Sequence, residues 1–285
     1  MNPTFLVLAN LSDTARQAAR HAAALGAGLH VRLALLHLFH NPVLDPDLVT
    51  LTTHRAQRSR AETAAALRAV HLSVPAEVEV SIGTLPNAVA GAVLRCNPLL
   101  LAMGLSAEHN LLDHVLHNQA LPALRATHLP LLLVPEAAPP PRRPRRVLIA
   151  ADAEPFKLNA AACRLAPLLA SWMASYTVVH GQAHAQHLAR AAQMALTNVR
   201  HSRLLPAAAP LDLYDEPLLT PAAGVLHALA ETRADLLVLV SRPRSFWGRL
   251  FHRSVTARVL RHAQVPVLLL PAEAPELPGW MPNMG

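Results

Sequence analysis

RHAQVPVLLLP, from Arg261 to Pro271, repeats RATHLPLLLVP, from Arg125 to Pro135. In both copies a proline precedes a short run that is apolar on both faces, the pattern of a strand covered on both sides. The correspondence widens outward from this pair. FLVLANLSD (Phe5–Asp13) matches VLIAADAEP (Val147–Pro155), and the run LALLH ending at His37 matches YTVVH ending at His180. NPLLLAMG (Asn97–Gly104) matches ADLLVLVS (Ala234–Ser241). The matches keep one order and a near-constant separation, so the chain reads as a tandem duplication. Between the copies, Ala137–Arg145 is rich in Pro and Arg and suits neither a helix nor a central strand. The expected units are 1–136 and 146–272, joined by a stiff linker over 137–145 and followed by a loosely ordered tail over 273–285.

Within the first copy, short apolar runs alternate with helical patterns. Strands are predicted at Phe5–Leu8, Val31–Leu36, Val78–Ile82, Leu99–Met103 and Leu131–Val134. Helices are predicted at Asp13–Leu25, around Asp45–Leu72, at Pro86–Leu94 and at Val115–Ala126. Ser12 or Asp13 caps the first helix, and Gly26 and Gly28 end it. The second copy repeats the strands at Val147–Ala150, Tyr176–Val179, Leu211–Tyr214, Leu236–Val240 and Val267–Leu270. Alternation of this kind implies an α/β fold, with each copy a five-stranded, doubly wound parallel sheet.

Composition narrows the function classes. Over half of the 285 residues are apolar, which supports a real core, yet no run approaches the roughly 18 apolar residues of a membrane span. The start, MNPTFLVLANLSD, reads as a first strand and not as a signal peptide. Cys96 and Cys163 are the two cysteines, too few for a disulfide framework, so a cytoplasmic location is expected. The net charge of +7 invites a nucleic-acid partner. Lys157 is the single lysine, however, and Arg in place of Lys throughout reads as composition bias, so nucleic acid is disfavoured.

In a doubly wound sheet, ligands bind beyond the C-terminal strand ends where the strand order reverses. Asn10 and Asp152 sit at the ends of the first strands. Gly104–Leu105–Ser106 and Val240–Ser241–Arg242 end the fourth strands. An Asp at the first place accepts from ribose or adenine donors, or it closes a local turn, and the sequence leaves both open.

The residues quoted above resemble the universal stress protein family, as a tandem two-domain member. The features that carry the resemblance are AAD with Asp152, the strand introduced by ADLLVLV, and RSFWGRLFHRSVTARVLRHAQVPVLLLP with its first-half counterpart LPALRATHLPLLLVP. The resemblance implies Rossmann-like domains of the adenine nucleotide alpha hydrolase type, with strand order 3-2-1-4-5. It also implies that the two repeats pair with each other through their fifth strands, with further association into a homodimer left open.

Nucleotide-binding members are similar in carrying a glycine, two residues, a glycine, nine residues and then Gly-Ser or Gly-Thr. Those glycines let backbone N–H groups approach phosphate. On this sequence the pattern falls on Gly104, Ala107, His117 and Asn118, and on Val240, Pro243, Arg253 and Ser254. Gly104 alone keeps its glycine and Ser254 alone its hydroxyl. Pro243 has no N–H to offer. Arg244 follows the altered place as an Arg often does in the family, and Ser254 opens a helix that is able to cap an anion. The resulting site, vestigial by this reading, comprises Asp152, Ser241, Arg244, Ser254, Asn10 and Gly104. No cofactor is expected, and ATP is the candidate if one binds.

Other chemistry finds little support. Lys157 lacks the glycines of a Walker A loop, no Gly-x-Ser-x-Gly elbow is present, and Cys163 falls in an Ala-rich helical pattern that predicts burial. His114 with His117, with His109 upstream, and His184 with His187 have i, i+3 pairs of helical spacing but lack further metal ligands, so no metal site is expected. The loop Arg242–Arg253 interleaves arginines with Phe246, Trp247 and Phe251, which fold back on the domain, form a protein contact or, as the least favoured reading, stack on single-stranded nucleic acid. The expectation is a non-catalytic stress-response or regulatory module that acts through an unknown protein partner. The alternative is a nucleotide-binding protein with at most weak ATP hydrolysis.

Overall fold

A computed structural model of the chain describes residues 2–39, 61–82, 84–106, 127–180, 188–214, 220–241 and 255–273. The first half contains β1 (Thr4–Leu8), α1 (Asp13–Gly26), β2 (Arg32–Phe39), β3 (Ala76–Ile82), α2 (Leu85–Cys96), β4 (Leu100–Leu105) and β5 (Leu131–Pro135). The second contains β6 (Arg146–Ala150), α3 (Ala160–Cys163), α4 (Ala166–Trp172), β7 (Ser175–Val179), α5 (Leu188–His201), β8 (Leu211–Tyr214), α6 (Pro221–Glu231), β9 (Leu236–Ser241), α7 (Val255–His262) and β10 (Val267–Pro271). Of the helix predicted around Asp45–Leu72, residues 61–68 are helical and those before 61 lie outside the described residues. The helix predicted at Val115–Ala126 also lies outside them.

One ten-stranded sheet runs β3-β2-β1-β4-β5-β10-β9-β6-β7-β8. Each half therefore has the order 3-2-1-4-5, with every pair inside it parallel. The halves meet where β5 and β10 pair antiparallel, Leu131 opposite Leu269, Leu132 opposite Leu268 and Leu133 opposite Val267.

Two apolar layers sandwich this sheet because successive strand residues point to opposite faces. Phe5, Val7, Leu132, Leu268 and Trp172 belong to one layer; Leu6, Leu131, Leu133, Val267 and Leu269 belong to the other. Both layers run through the seam without a break, and every β5 and β10 residue is buried. Away from the sheet, the Trp172 indole donates to the Leu25 carbonyl at 2.9 Å, which ties α4 to the end of α1.

Local signals place α1 as its sequence suggests. The Ser12 hydroxyl accepts from the Ala15 N–H at 3.2 Å, so Ser12 is the cap and Asp13 the first helical residue. The helix ends at Gly26, as expected, but for packing: a Cβ there would lie 2.1 Å from a Val31 methyl. The chain continues through a 3-10 turn over Ala27–Leu29, and the left-handed residue that reverses it is His30, not Gly28.

The Pro- and Arg-rich connection is held along its length. Gln17 Nε2 donates to the Ala138 carbonyl at 2.9 Å, and His21 Nε2 lies 3.0 Å from the Pro139 carbonyl. At its far end Asp235 accepts from the backbone N–H groups of Arg145 (2.8 Å) and Arg146 (3.0 Å) and pairs with the Arg142 guanidinium. Burial pushes the Asp235 carboxyl up. The two N–H groups and the Arg142 charge outweigh that and hold it below its ordinary value.

Two outcomes follow. Leu268→Ala at the seam should cost about 2–5 kcal/mol of stability in urea titration, since it opens a cavity in a fully buried strand pair. Because the folded-state pKa of Asp235 lies below the unfolded one, its stabilisation is present above about pH 4 and drains as pH falls through the folded value. The Asp235→Ala protein should therefore melt lower at pH 7, and its melting temperature should fall less steeply on acidification than that of the unaltered chain.

Candidate functional site

The C-terminal strand ends of the two halves keep a common design. In the first, Asn10 Oδ1 accepts from the Ser12 N–H at 3.0 Å and also from the Ser12 hydroxyl. In the second, Asp152 Oδ1 accepts from the Glu154 N–H at 3.1 Å. Both are turns closed by the side chain two residues earlier, so the local role weighed for Asp152 is the one its geometry displays. Beside each turn stands a histidine near the end of the second strand of its half, His37 within β2 and His180 directly after β7. His37 Nδ1 lies 2.9 Å from the Ala9 carbonyl, and His180 Nδ1 lies 3.1 Å from the Ala151 carbonyl.

A carbonyl only accepts, so Nδ1 carries a proton in both imidazoles. His180 is buried, at 4% exposure, and its Nε2 has no hydrogen-bond partner among the described residues. An unmet polar group inside a protein is uncommon and often marks a functional place. The sequence comparison of the halves aligned His37 with His180 as a repeat landmark. The equal position of two polar residues at strand ends was the signal that would have added them to the candidate set.

At the fourth strands the two halves part. A Cβ on Gly104 would lie 2.3 Å from the Thr14 carbonyl oxygen, because the first turn of α1 rests on β4 there. Its φ is outside the left-handed region, so close packing is what requires glycine at this place. The equivalent residue in the second half is Val240, whose side chain would fill the space that α1 uses.

The helical path is accordingly different. α1 begins three residues after Asn10, whereas α3 begins eight residues after Asp152. The intervening chain runs from the end of β6 past β9 to the end of β10, where Leu158 forms an antiparallel bridge with Ala272. Asn159 Oδ1 then caps α3 by accepting from the Ala162 N–H at 2.8 Å.

Of the predicted site residues, Asn10, Asp152, Gly104 and Ser241 thus fall at the expected strand ends, in two separate sets, one per half. Arg244 and Ser254 lie outside the described residues, as do Pro243, Arg253, Trp247 and the histidines His109, His114, His117, His184 and His187. Cys163 corrects an expectation: it is exposed, because α3 is a four-residue turn and not part of a long buried helix. Among the described residues no group of His, Cys, Asp and Glu is placed to hold a metal ion, and no helix is long and apolar enough to cross a membrane.

Comparison with known proteins agrees with this architecture. A family model described as the universal stress protein family matches residues 1–135 and 218–271. Among solved structures, a universal stress protein from Archaeoglobus fulgidus DSM 4304 is similar at a TM-score of 0.64 and 17% identity, covering 93% of this chain and 97% of that one. A protein of unknown function from Pseudomonas aeruginosa PAO1 is similar at 0.53 and 14%, covering 94% and 92%. No curated protein matches the sequence.

The packing account of Gly104 makes a direct prediction. Gly104→Ala should destabilise the chain by about 1–3 kcal/mol in urea titration, as the first turn of α1 is forced off the sheet. An unchanged midpoint would mean that α1 does not sit where the structure places it.

Proposed function

We propose that this chain, which belongs to the universal stress protein family, is a non-catalytic stress-response or regulatory module that acts through protein contacts and does not bind ATP by the glycine motif. The observation that carries this reading is Val240 at the place of Gly104, together with the path of residues 153–159 past the end of β9. A nucleotide phosphate approaches such a strand end only if backbone N–H groups are bare. Here a valine side chain and a crossing segment stand at that end, and Pro243 and Arg253 replace further glycines of the pattern. The bond from the Glu154 N–H to Asp152 Oδ1 supports a local, turn-closing role for that residue. The Arg and aromatic residues that follow β9 in the sequence, with Trp247 among them, supply the chemistry of a protein contact. The working place of the protein is the cytoplasm on this reading.

A second reading keeps a nucleotide at the second half, with Asp152, Ser241, Arg244 and Ser254 as its contacts and weak hydrolysis at most. The buried Nε2 of His180, near the Asp152 turn and without a partner among the described residues, is the observation that favours it, because an adenine edge offers both a donor and an acceptor to such a nitrogen.

Isothermal titration of the full chain with ATP and Mg²⁺ separates the two. The first reading expects no saturation below about 1 mM. Micromolar binding that is lost in Asp152→Ala and in His180→Phe would establish the second. Under the first reading, Trp247→Ala should leave the melting temperature within about 2 °C, the scale of a surface substitution, while reducing capture of the partner.

A further inference from the structure

Among the described residues, six that are not glycine have a left-handed φ, three in each half. In the first half they are His30, Asn97 and His128, of types that enter this region more readily than most. In the second they are Met173 (φ 52°), Arg203 (57°) and Arg233 (48°), whose long side chains bring no such ease. Strand register equates His30 with Met173 and Asn97 with Arg233. Leu33 and Tyr176 hold one place beside the first strand of their half, and Leu100 and Leu236 hold another. The same turns are thus closed by suited residues in one half and by Met and Arg in the other. Composition bias acts on both halves and does not separate them. A helix end favours a cation, yet a helix ends before Asn97 as it does before Arg233. Strain kept at a turn under these conditions points to a role outside the turn.

These turns surround the start of β6. The Asp235 N–H donates to the Arg146 carbonyl at 2.7 Å, and Arg146 is opposite Ser175 in β7. Arg233 and Met173 each stand two residues before those partners, so they flank Arg145 and Arg146 on neighbouring strands about 4.8 Å away. In the first half Pro3 and Thr4 hold the places of Arg145 and Arg146. Arg143, Arg145, Arg146, Arg203 and Arg233 are exposed, and Met173 is 93% exposed. None of these five guanidinium groups forms an ion pair among the described residues. Asp235 is buried and already holds Arg142. Asp212 and Glu231 are the exposed carboxylates nearest along the chain, so positive charge remains in excess.

We propose that this N-terminal strand end of the second half binds an acidic segment of a partner protein, with an apolar residue of that segment against Met173. Guanidinium groups match carboxylates in charge and in shape. Arg and Met are also residue types enriched where proteins meet. Single-stranded nucleic acid asks for exposed aromatic rings to stack on, and the rings of this end, Trp172 and Tyr176, are buried. A lipid surface asks for several large apolar side chains, and Met173 is the one exposed here among the described residues. The inference rests on the reading of the chain as a protein-contact module and adds the chemistry of the partner.

The test titrates a fluorescein-labelled acidic peptide, EEEELEEEE, with the full chain at about 50 mM salt and follows anisotropy. Saturable one-to-one binding is expected. Arg203→Asn with Arg233→Asn removes two charges and gives both turns a residue that suits them. Affinity should fall about tenfold or more, while the melting temperature stays at or above that of the unaltered chain. Arg68→Glu with Arg95→Glu changes more charge at exposed positions of the first half and should leave affinity within about threefold. If the Asn variant does not fold, Arg145→Glu decides in its place. Absence of saturation overturns the proposal, and so does an equal loss in the first-half variant. A lowered melting temperature in the Asn variant also overturns it, by making Arg203 and Arg233 structural caps. Tighter binding of a single-stranded oligonucleotide, or of vesicles with about 30% phosphatidylglycerol, overturns it by assigning the face to another anion. Micromolar ATP binding that is lost in Asp152→Ala would instead overturn the reading on which the proposal rests, so the two failures are distinct.

Discussion

The pairing of β5 with β10 is the constraint on which the rest of the molecule depends. Each half is a parallel sheet that ends in a strand apolar on both faces. Alone, either half would expose that strand's edge, with its unpaired N–H and C=O groups, to solvent. Antiparallel pairing closes both edges at once and lets the two apolar layers continue from one half into the other. It also turns the halves in opposite directions. The C-terminal strand ends of one half therefore lie beside the N-terminal strand ends of the other, and each ligand-type cleft has a neighbour from the opposite repeat.

That arrangement gave duplication room to become asymmetric. The equivalent places Gly104 and Val240 decide where the first helix of each half starts. Glycine lets α1 rest directly on β4, and the chain moves into helix within three residues of Asn10. Valine denies that seat, and the helix starts later, after an extended segment that crosses to the end of β10. In the second half the lost glycine of the phosphate pattern thus goes together with a longer path from β6 to α3. The turns of Asn10 and Asp152 and the histidines His37 and His180 were less affected, because each forms its bond with an adjacent strand end.

Much of the fold was legible because its determinants are local and repeated. Phe5–Leu8 and Leu131–Val134 are apolar on both faces, the pattern of strands covered on both sides. Ser12 was readable as a cap because its hydroxyl needs only its own helix. The strand order and the fifth-strand pairing came through likeness to a family, since periodicity carries no information about which strands are neighbours. Less was legible of the site. Asn10 and Asp152 were placed by chain position, and their turn geometry was an open alternative until the backbone around them was in view. Cys163 was misjudged because its surroundings have helical composition while α3 lasts a single turn.

By itself the amino-acid sequence determined the duplication, the parallel α/β class and the place of each strand to within about three residues; the glycine pattern and its loss were read through likeness to a family. The duplication, the class and the strands follow from side-chain chemistry and spacing along one stretch of chain. Only the tertiary structure decided that Gly104 serves the packing of α1, that the buried Nε2 of His180 lacks a partner among the described residues, and that residues 157–159 bridge to the end of β10. Each depends on groups far apart in the chain, such as Leu158 and Ala272, whose meeting is imposed by the order of strands in the sheet and leaves no trace in local composition.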